Sequence, residues 1–189
     1  MSTLIKILTK VDIKAFELAP QFNWVERKKY FYPSSWLKQQ ISNLDDKSET
    51  NKIVFVLMFG YFQAVKRFVP VKYYSRKDIE YVCNRYQFRS SDVDISLFDR
   101  RDRNRYKKII LSRVGFSGFD SINEQMAVDE CQRLVEKQIK PKSVFQLLIH
   151  FILSKRVELP RYHKLAEIIT DAFNTHERSL ANKIEIGRA

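Results

Sequence analysis

The sequence predicts an all-α protein made of two small helical subdomains. Three observations carry this expectation. Only 4 Gly and 5 Pro punctuate the 189 residues, too few for the frequent turns of a β-sandwich or barrel. Apolar residues recur at spacings of three and four in successive segments, and capping residues or prolines bracket those segments. Hydrophobic residues make up 44% and aromatics 13%, enough to close a core in each subdomain and to exclude wholesale disorder.

Each element has its own local reason. Thr9 caps a short helix carrying Val11, Phe16 and Leu18, which Pro20 stops. Asn23 precedes Trp24–Phe31, ended by Pro33, and Ser34 caps Ser35–Leu44, where Leu37, Ile41 and Leu44 form one apolar stripe. The polar run Asp45–Thr50 reads as a loop leading into a long buried helix from about Asn51 to Phe68, closed by Pro70. Ser75 caps a fifth helix, turned inward through Ile79, Val82 and Cys83, that runs to about Tyr86. Ser90–Asp94 is polar and reads as the joint between subdomains 1–92 and 93–189. Beyond it, Phe98–Arg113 is ended by Gly115 and Gly118, and Ile122 to about Gln138 follows. Pro141 opens a helix through Val144–Leu153. Arg156–Pro160 is a tight connection to a last helix from Arg161 to about Ile184.

The net charge of +12 and pI near 9.7 point first to nucleic acid, then to acidic partners or an anionic membrane surface. The longest apolar stretch, Ile53–Phe62, is half the length of a membrane span, and the first residues lack the pattern of a signal peptide. Two cysteines, Cys83 and Cys131, fit no metal spacing and suit a reducing cytoplasm. No membrane partner and no cofactor are expected.

Charge is densest in Arg100–Lys108. Helical geometry gathers Phe98, Tyr106, Ile109 and Ile110 on one side, with Arg100, Arg101, Asn104, Lys107 and Lys108 on the other. Arg and Lys neutralise phosphates, and an Asn pairs with an adenine edge, so this face suits DNA. Two helix-turn-helix patterns stand beside it. In one, Arg27, Lys28 and Lys29 end a helix and the next presents Lys38, Gln39, Ser42 and Asn43. In the other, the helix 144–153 turns into one whose first residues present Arg161, His163 and Lys164. Aromatics from Trp24 to Trp36 lie among these basic residues; Trp24 and Phe31, seven apart, read as core packing. His150, inside an apolar run, also reads as a core residue. The acids Asp92, Asp94, Asp99 and Asp102 read as joint and first-turn acids rather than a metal set. No phosphate loop, nucleophile elbow or zinc motif is present, and enzymatic activity is not expected of this chain.

The stretch Asn51–Phe68, with its apolar run followed by Gly-Tyr-Phe, Ala and Arg-Phe, resembles the N-terminal region of Tn-three-family replicative transposases. Arg103–Ile109 leading to Val114-Gly-Phe116 is similar to that family's basic helix and Gly-Phe turn. Arg156–Leu165 is similar to its Leu-Pro-x-Tyr-x-x-Leu helix entry. Together the three motifs extend the resemblance from about residue 9 to residue 182. Asn104 and Tyr106 depart from it, standing where His and a more polar residue are common. The resemblance implies tandem helix-turn-helix-like subdomains that bind a transposon's terminal inverted repeats as double-stranded DNA. The rest of the transposase would be a partner, and a dimer on DNA stays open. The catalytic acids would lie downstream in a ribonuclease-H-like, DDE-type domain absent here. It further implies a chain that is an excised fragment or a truncated relative, in a bacterial cytoplasm at the nucleoid. The rival reading is a helical protein–protein adaptor whose basic faces meet an acidic partner and whose segment 24–36 docks it. A third, ranked last because no RNA-binding motif is present, is a single-strand or RNA binder that would prefer unpaired oligonucleotides and show quenching of Trp24 or Trp36.

Overall fold

The computed structural model describes residues 5–44, 48–89, 93–137 and 140–186. Among them the chain is all α: α1 Lys10–Glu17, α2 Trp24–Tyr30, α3 Ser35–Ser42, α4 Glu49–Val65, α5 Arg76–Tyr86, α6 Arg100–Val114, α7 Ser121–Glu136, α8 Pro141–Ser154 and α9 Tyr162–Ile186. Extended pairing among the described residues is one isolated parallel bridge between Ser117 and Val157.

Side chains next to the helix starts explain where they begin. Asn23 Oδ1 accepts from the Glu26 N–H at 2.9 Å, and Glu26 Oε2 accepts from the Asn23 N–H at 2.8 Å. This reciprocal pair satisfies two donors that the first turn of α2 would leave bare. Thr9 and Asp12 make the same exchange at α1, and Ser34 caps α3 through the Leu37 N–H. α4 begins two residues before the expected Asn51, because Ser48 Oγ accepts from the Asn51 N–H at 3.4 Å and so draws Glu49 and Thr50 into the helix. Of the expected loop, residues 45–47 lie outside those described. The same helix ends at Val65, where Lys66 turns left-handed (φ 55°), rather than at Phe68. That turn lets Phe68 fold back onto Phe62 with ring centres 4.6 Å apart.

The chain forms two compact units. One is the continuous segment Leu18–Gly115; the other joins the stretch up to Glu17 with everything from Phe116 onward. This division differs from the expected joint at Ser90–Asp94, of which residues 90–92 lie outside those described. The reason is side-chain partnership across long sequence separations. Tyr106 of α6 is buried edge-on against Phe55 of α4, ring centres 5.0 Å apart, so α6 belongs with the first-half helices. α1 belongs with α7–α9: Phe16 packs edge-on to Phe145 at 5.5 Å, and Glu17 accepts from the Tyr162 N–H.

In the continuous unit, every residue of α4 from Ile53 to Phe62 is buried, as an all-round apolar helix must be. Gly60 marks its closest approach. A Cβ there would lie 2.4 Å from the Phe31 ring and 2.9 Å from the Tyr30 carbonyl oxygen. Beside it, the fully buried Asp78 accepts from Arg27 Nε and from Tyr61 Oη, both at 2.6 Å. Burial, then the Asp78 carboxylate, pushes the Tyr61 hydroxyl above its ordinary range. In the other unit, Cys131, Leu134 and Val135 of α7 meet Val144, Leu148 and Ile152 of α8 and Leu165 and Ile169 of α9. Among the described residues no helix is long and apolar enough to cross a membrane.

Candidate nucleic-acid interface

The orientation of α6 is set by a polar anchor as much as by its apolar residues. Asp102 is buried and accepts from Asn51 Nδ2 at 2.9 Å, while Tyr106 and Ile110 are buried beside it. The opposite side then carries Arg101, Asn104, Arg105, Lys108 and Ser112, all exposed and spaced by three and four residues along one line. No acid interrupts this line, so it is a continuous cationic strip about three turns long with an amide in it. Compared with the expected face, the strip is rotated. Arg105, absent from the expected face, sits near its centre. Lys107 is half-buried at its flank, with its ammonium 4.9 Å from the centre of the Phe68 ring. Arg100 opens the helix, and its side chain is not among those described. Strict spacing from Arg101 would have found Arg105.

The second set of expected residues divides. Lys38, Gln39, Ser42 and Asn43 are all exposed on the outer side of α3. Lys38 and Ser42 border a groove of about 550 Å³ with Arg85 and the left-handed Gln87. Lys28 and Lys29 are exposed, each with its ammonium over a ring of its own helix: Trp24 at 5.4 Å and Tyr30 at 5.1 Å. Arg27 is different. Its Nε is committed to the buried Asp78, so its first role is to hold α2 onto α5. Trp24, expected in the core, is 64% exposed, and Phe31 alone of that pair is buried. The end of α2 also meets the end of α6 in one cleft, which Lys29 and Arg113 share.

The third set lies in the other unit. Arg161 and His163 are exposed at the start of α9. Lys164 pairs with Glu124 at 2.6 Å and Glu167 at 3.2 Å, contacts that hold its ammonium above its ordinary pKa. Glu17 accepts from the Tyr162 N–H, occupying the helix start with a carboxylate of the chain's own. The first turn of α9 is therefore ringed by acids, and it offers a phosphate less than α6 does.

Other polar residues have structural duties. Asp94 accepts from the Ser96 N–H and hydroxyl, and Asp99 occupies the N-cap position of α6; Asp92 lies outside the described residues. Among the described residues, no group of three or more His, Cys, Asp or Glu side chains is placed to hold a metal ion. His150 is exposed rather than in the core, its Nδ1 3.3 Å from the Gln146 carbonyl oxygen. It stands on the outer side of α8, while Val144, Leu148 and Ile152 take the inner side. Cys83 and Cys131 are buried free thiols. Burial, with Glu130 adding to it, pushes the Cys131 thiol up to about 12.

Among curated proteins, none matches this chain. A family model described as a domain of unknown function, DUF4158, matches residues 7–172, across both compact units, and the chain belongs to that family.

Proposed function

We propose that this chain binds double-stranded DNA and reads the terminal inverted repeats of a transposon as the recognition part of a transposase. The observation that carries the reading is the α6 strip: Arg101, Asn104, Arg105 and Lys108 exposed on one line, with the helix's acids turned inward or placed at its cap. A cationic strip of this kind tracks a phosphate backbone, and Asn104 within it reaches a base edge. The exposed face of α3, with Lys38, Gln39, Ser42 and Asn43, supplies further side chains of the kinds that read bases. The transposon-end target rests on the resemblance of Asn51–Phe68, Arg103–Phe116 and Arg156–Leu165 to Tn-three-family transposases. Chemistry on DNA would belong to the rest of such a transposase.

The test is fluorescence anisotropy with a labelled inverted-repeat duplex and a scrambled duplex of equal length, across a salt series. Tighter binding to the repeat that persists at physiological salt is the expected result. Equal binding that vanishes with salt would reduce the chain to a non-specific cationic surface. A second reading, a protein–protein adaptor, is favoured by one feature: Trp24 and Val25 are 64% and 67% exposed side by side on α2. An adaptor would purify free of nucleic acid and bind neither duplex.

A further inference from the structure

In the continuous unit, the end of α2, the start of α3, the middle of α4 and the end of α6 border a cleft of about 350 Å³. Its walls include Tyr32, Trp36, Lys29, Arg113, Ser34 and Gln63, and among the described residues no acid lines it. Tyr32 is 59% exposed, whereas Trp36 is backed by Phe59 and Phe55, ring centres 4.9 and 6.1 Å away. Arg113 places its guanidinium 5.2 Å from the Trp36 ring centre. Lys66 adds charge nearby, since its Nζ donates to the Gln63 carbonyl at 2.6 Å. Its ammonium is held below its ordinary range, first by burial and then by Lys29. The cleft thus combines an indole backed by two rings, an exposed phenol and the cations of Lys29 and Arg113.

We infer that this cleft receives one unpaired, 5′-phosphorylated nucleotide of a DNA strand, its base against Tyr32 and Trp36 and its phosphate on Lys29 and Arg113. Stacking needs flat faces and tolerates any base, which the two rings supply. A phosphate needs clustered cations away from acids, which Lys29 and Arg113 supply. A bare anion would use the cations alone and leave the rings without a role. The inference deepens the DNA-binding reading, because it gives a duplex end with a frayed or overhanging nucleotide a seat beside the α6 strip.

The experiment uses the whole chain carrying Trp24→Phe, so that Trp36 is its remaining tryptophan. A 5′-phosphorylated deoxydinucleotide is titrated against Trp36 fluorescence, with inorganic phosphate as a parallel probe. Blunt duplexes and duplexes with a two-nucleotide overhang are compared by anisotropy. The expected result is saturable quenching by the dinucleotide, and overhang duplexes bound roughly 5- to 100-fold tighter than blunt ones. Tyr32→Ala and Arg113→Ala, both at exposed positions, should each remove the overhang preference, and Tyr32→Ala should leave blunt-duplex binding unchanged. Phosphate competing as well as the dinucleotide, or blunt and overhang duplexes binding alike without quenching, would overturn the inference while duplex binding stands. Quenching by the dinucleotide without binding to any duplex would support the cleft and refute the duplex reading. No response to any probe would refute both.

Discussion

In the proposed DNA-binding role, neutralising the α6 strip should shallow the salt dependence by an amount set by the number of its exposed cations. Arg101, Arg105 and Lys108 are its three exposed cations, each a candidate for one phosphate. Each phosphate contact contributes about 0.9 to the slope of log affinity against log salt. Replacing all three by Ala should therefore shallow the slope by about 2.7. A fourfold rise in salt then weakens the wild type more than the triple variant by an extra factor of about 40. The assay is anisotropy with one duplex from low to physiological salt, with circular dichroism to show that the helices are retained. Single substitutions sharpen it. Arg105→Ala should lower the slope by about one contact, while Lys107→Ala, set at the flank over Phe68, should lower it less. A triple variant with the wild-type slope would refute the strip as the phosphate-facing surface. A larger effect from Lys107 than from Arg105 would refute the orientation of the helix derived from Asp102.

Three further outcomes follow from the packing. Gly60→Ala places a methyl group 2.4 Å from the Phe31 ring, and the clash should outweigh the helix-propensity gain for a net loss of about 2 kcal/mol, read by urea unfolding. Asp78→Ala strips the carboxylate from Arg27 and Tyr61 and should cost about 3–5 kcal/mol, with Arg27 left without its buried partner. A loss below about 1 kcal/mol would show the pair to be solvated. The Cys131 thiol is raised from 9.0 to about 12, so its proton is held more tightly folded than unfolded. Its contribution is complete below pH 9 and is lost as pH rises from there toward 12, at up to about 1.4 kcal/mol per pH unit. Cys131→Ala should flatten that alkaline decline in denaturation midpoints, and an unchanged decline would assign it to the buried tyrosines instead.

What could be read from the sequence was local. Asn23, Ser34 and Thr9 announced their helices because a cap and its partner lie three residues apart. The burial of α4 was legible because apolar residues occupy all its sides. What escaped depends on distant partners. The rotation of α6 follows from Asn51, fifty-one positions before Asp102, and no helical wheel contains that residue. The division of the chain follows from α1 finding Phe145 and Tyr162, far beyond any local pattern. The pairing of Arg27 with Asp78 escaped because the two lie fifty-one positions apart in sequence. Trp24 was misplaced for another reason: the seven-residue α2 offers too few turns to show which of its aromatics faces inward.

The interrupted unit has a consequence for how the chain is made. Its first helix leaves the ribosome before the Leu18–Gly115 segment, and α7–α9 leave after it. The inserted segment holds its own core partners, so it is free to fold while translation continues. α1 must wait through roughly a hundred residues of synthesis with Ile13 and Phe16 uncovered, although closing so long a loop adds only about 0.6 kcal/mol per doubling of its length. A fragment cut at residue 93 would inherit this difficulty permanently: it would hold α6 without α4 and α9 without Glu17, leaving two surfaces bare that the intact chain covers.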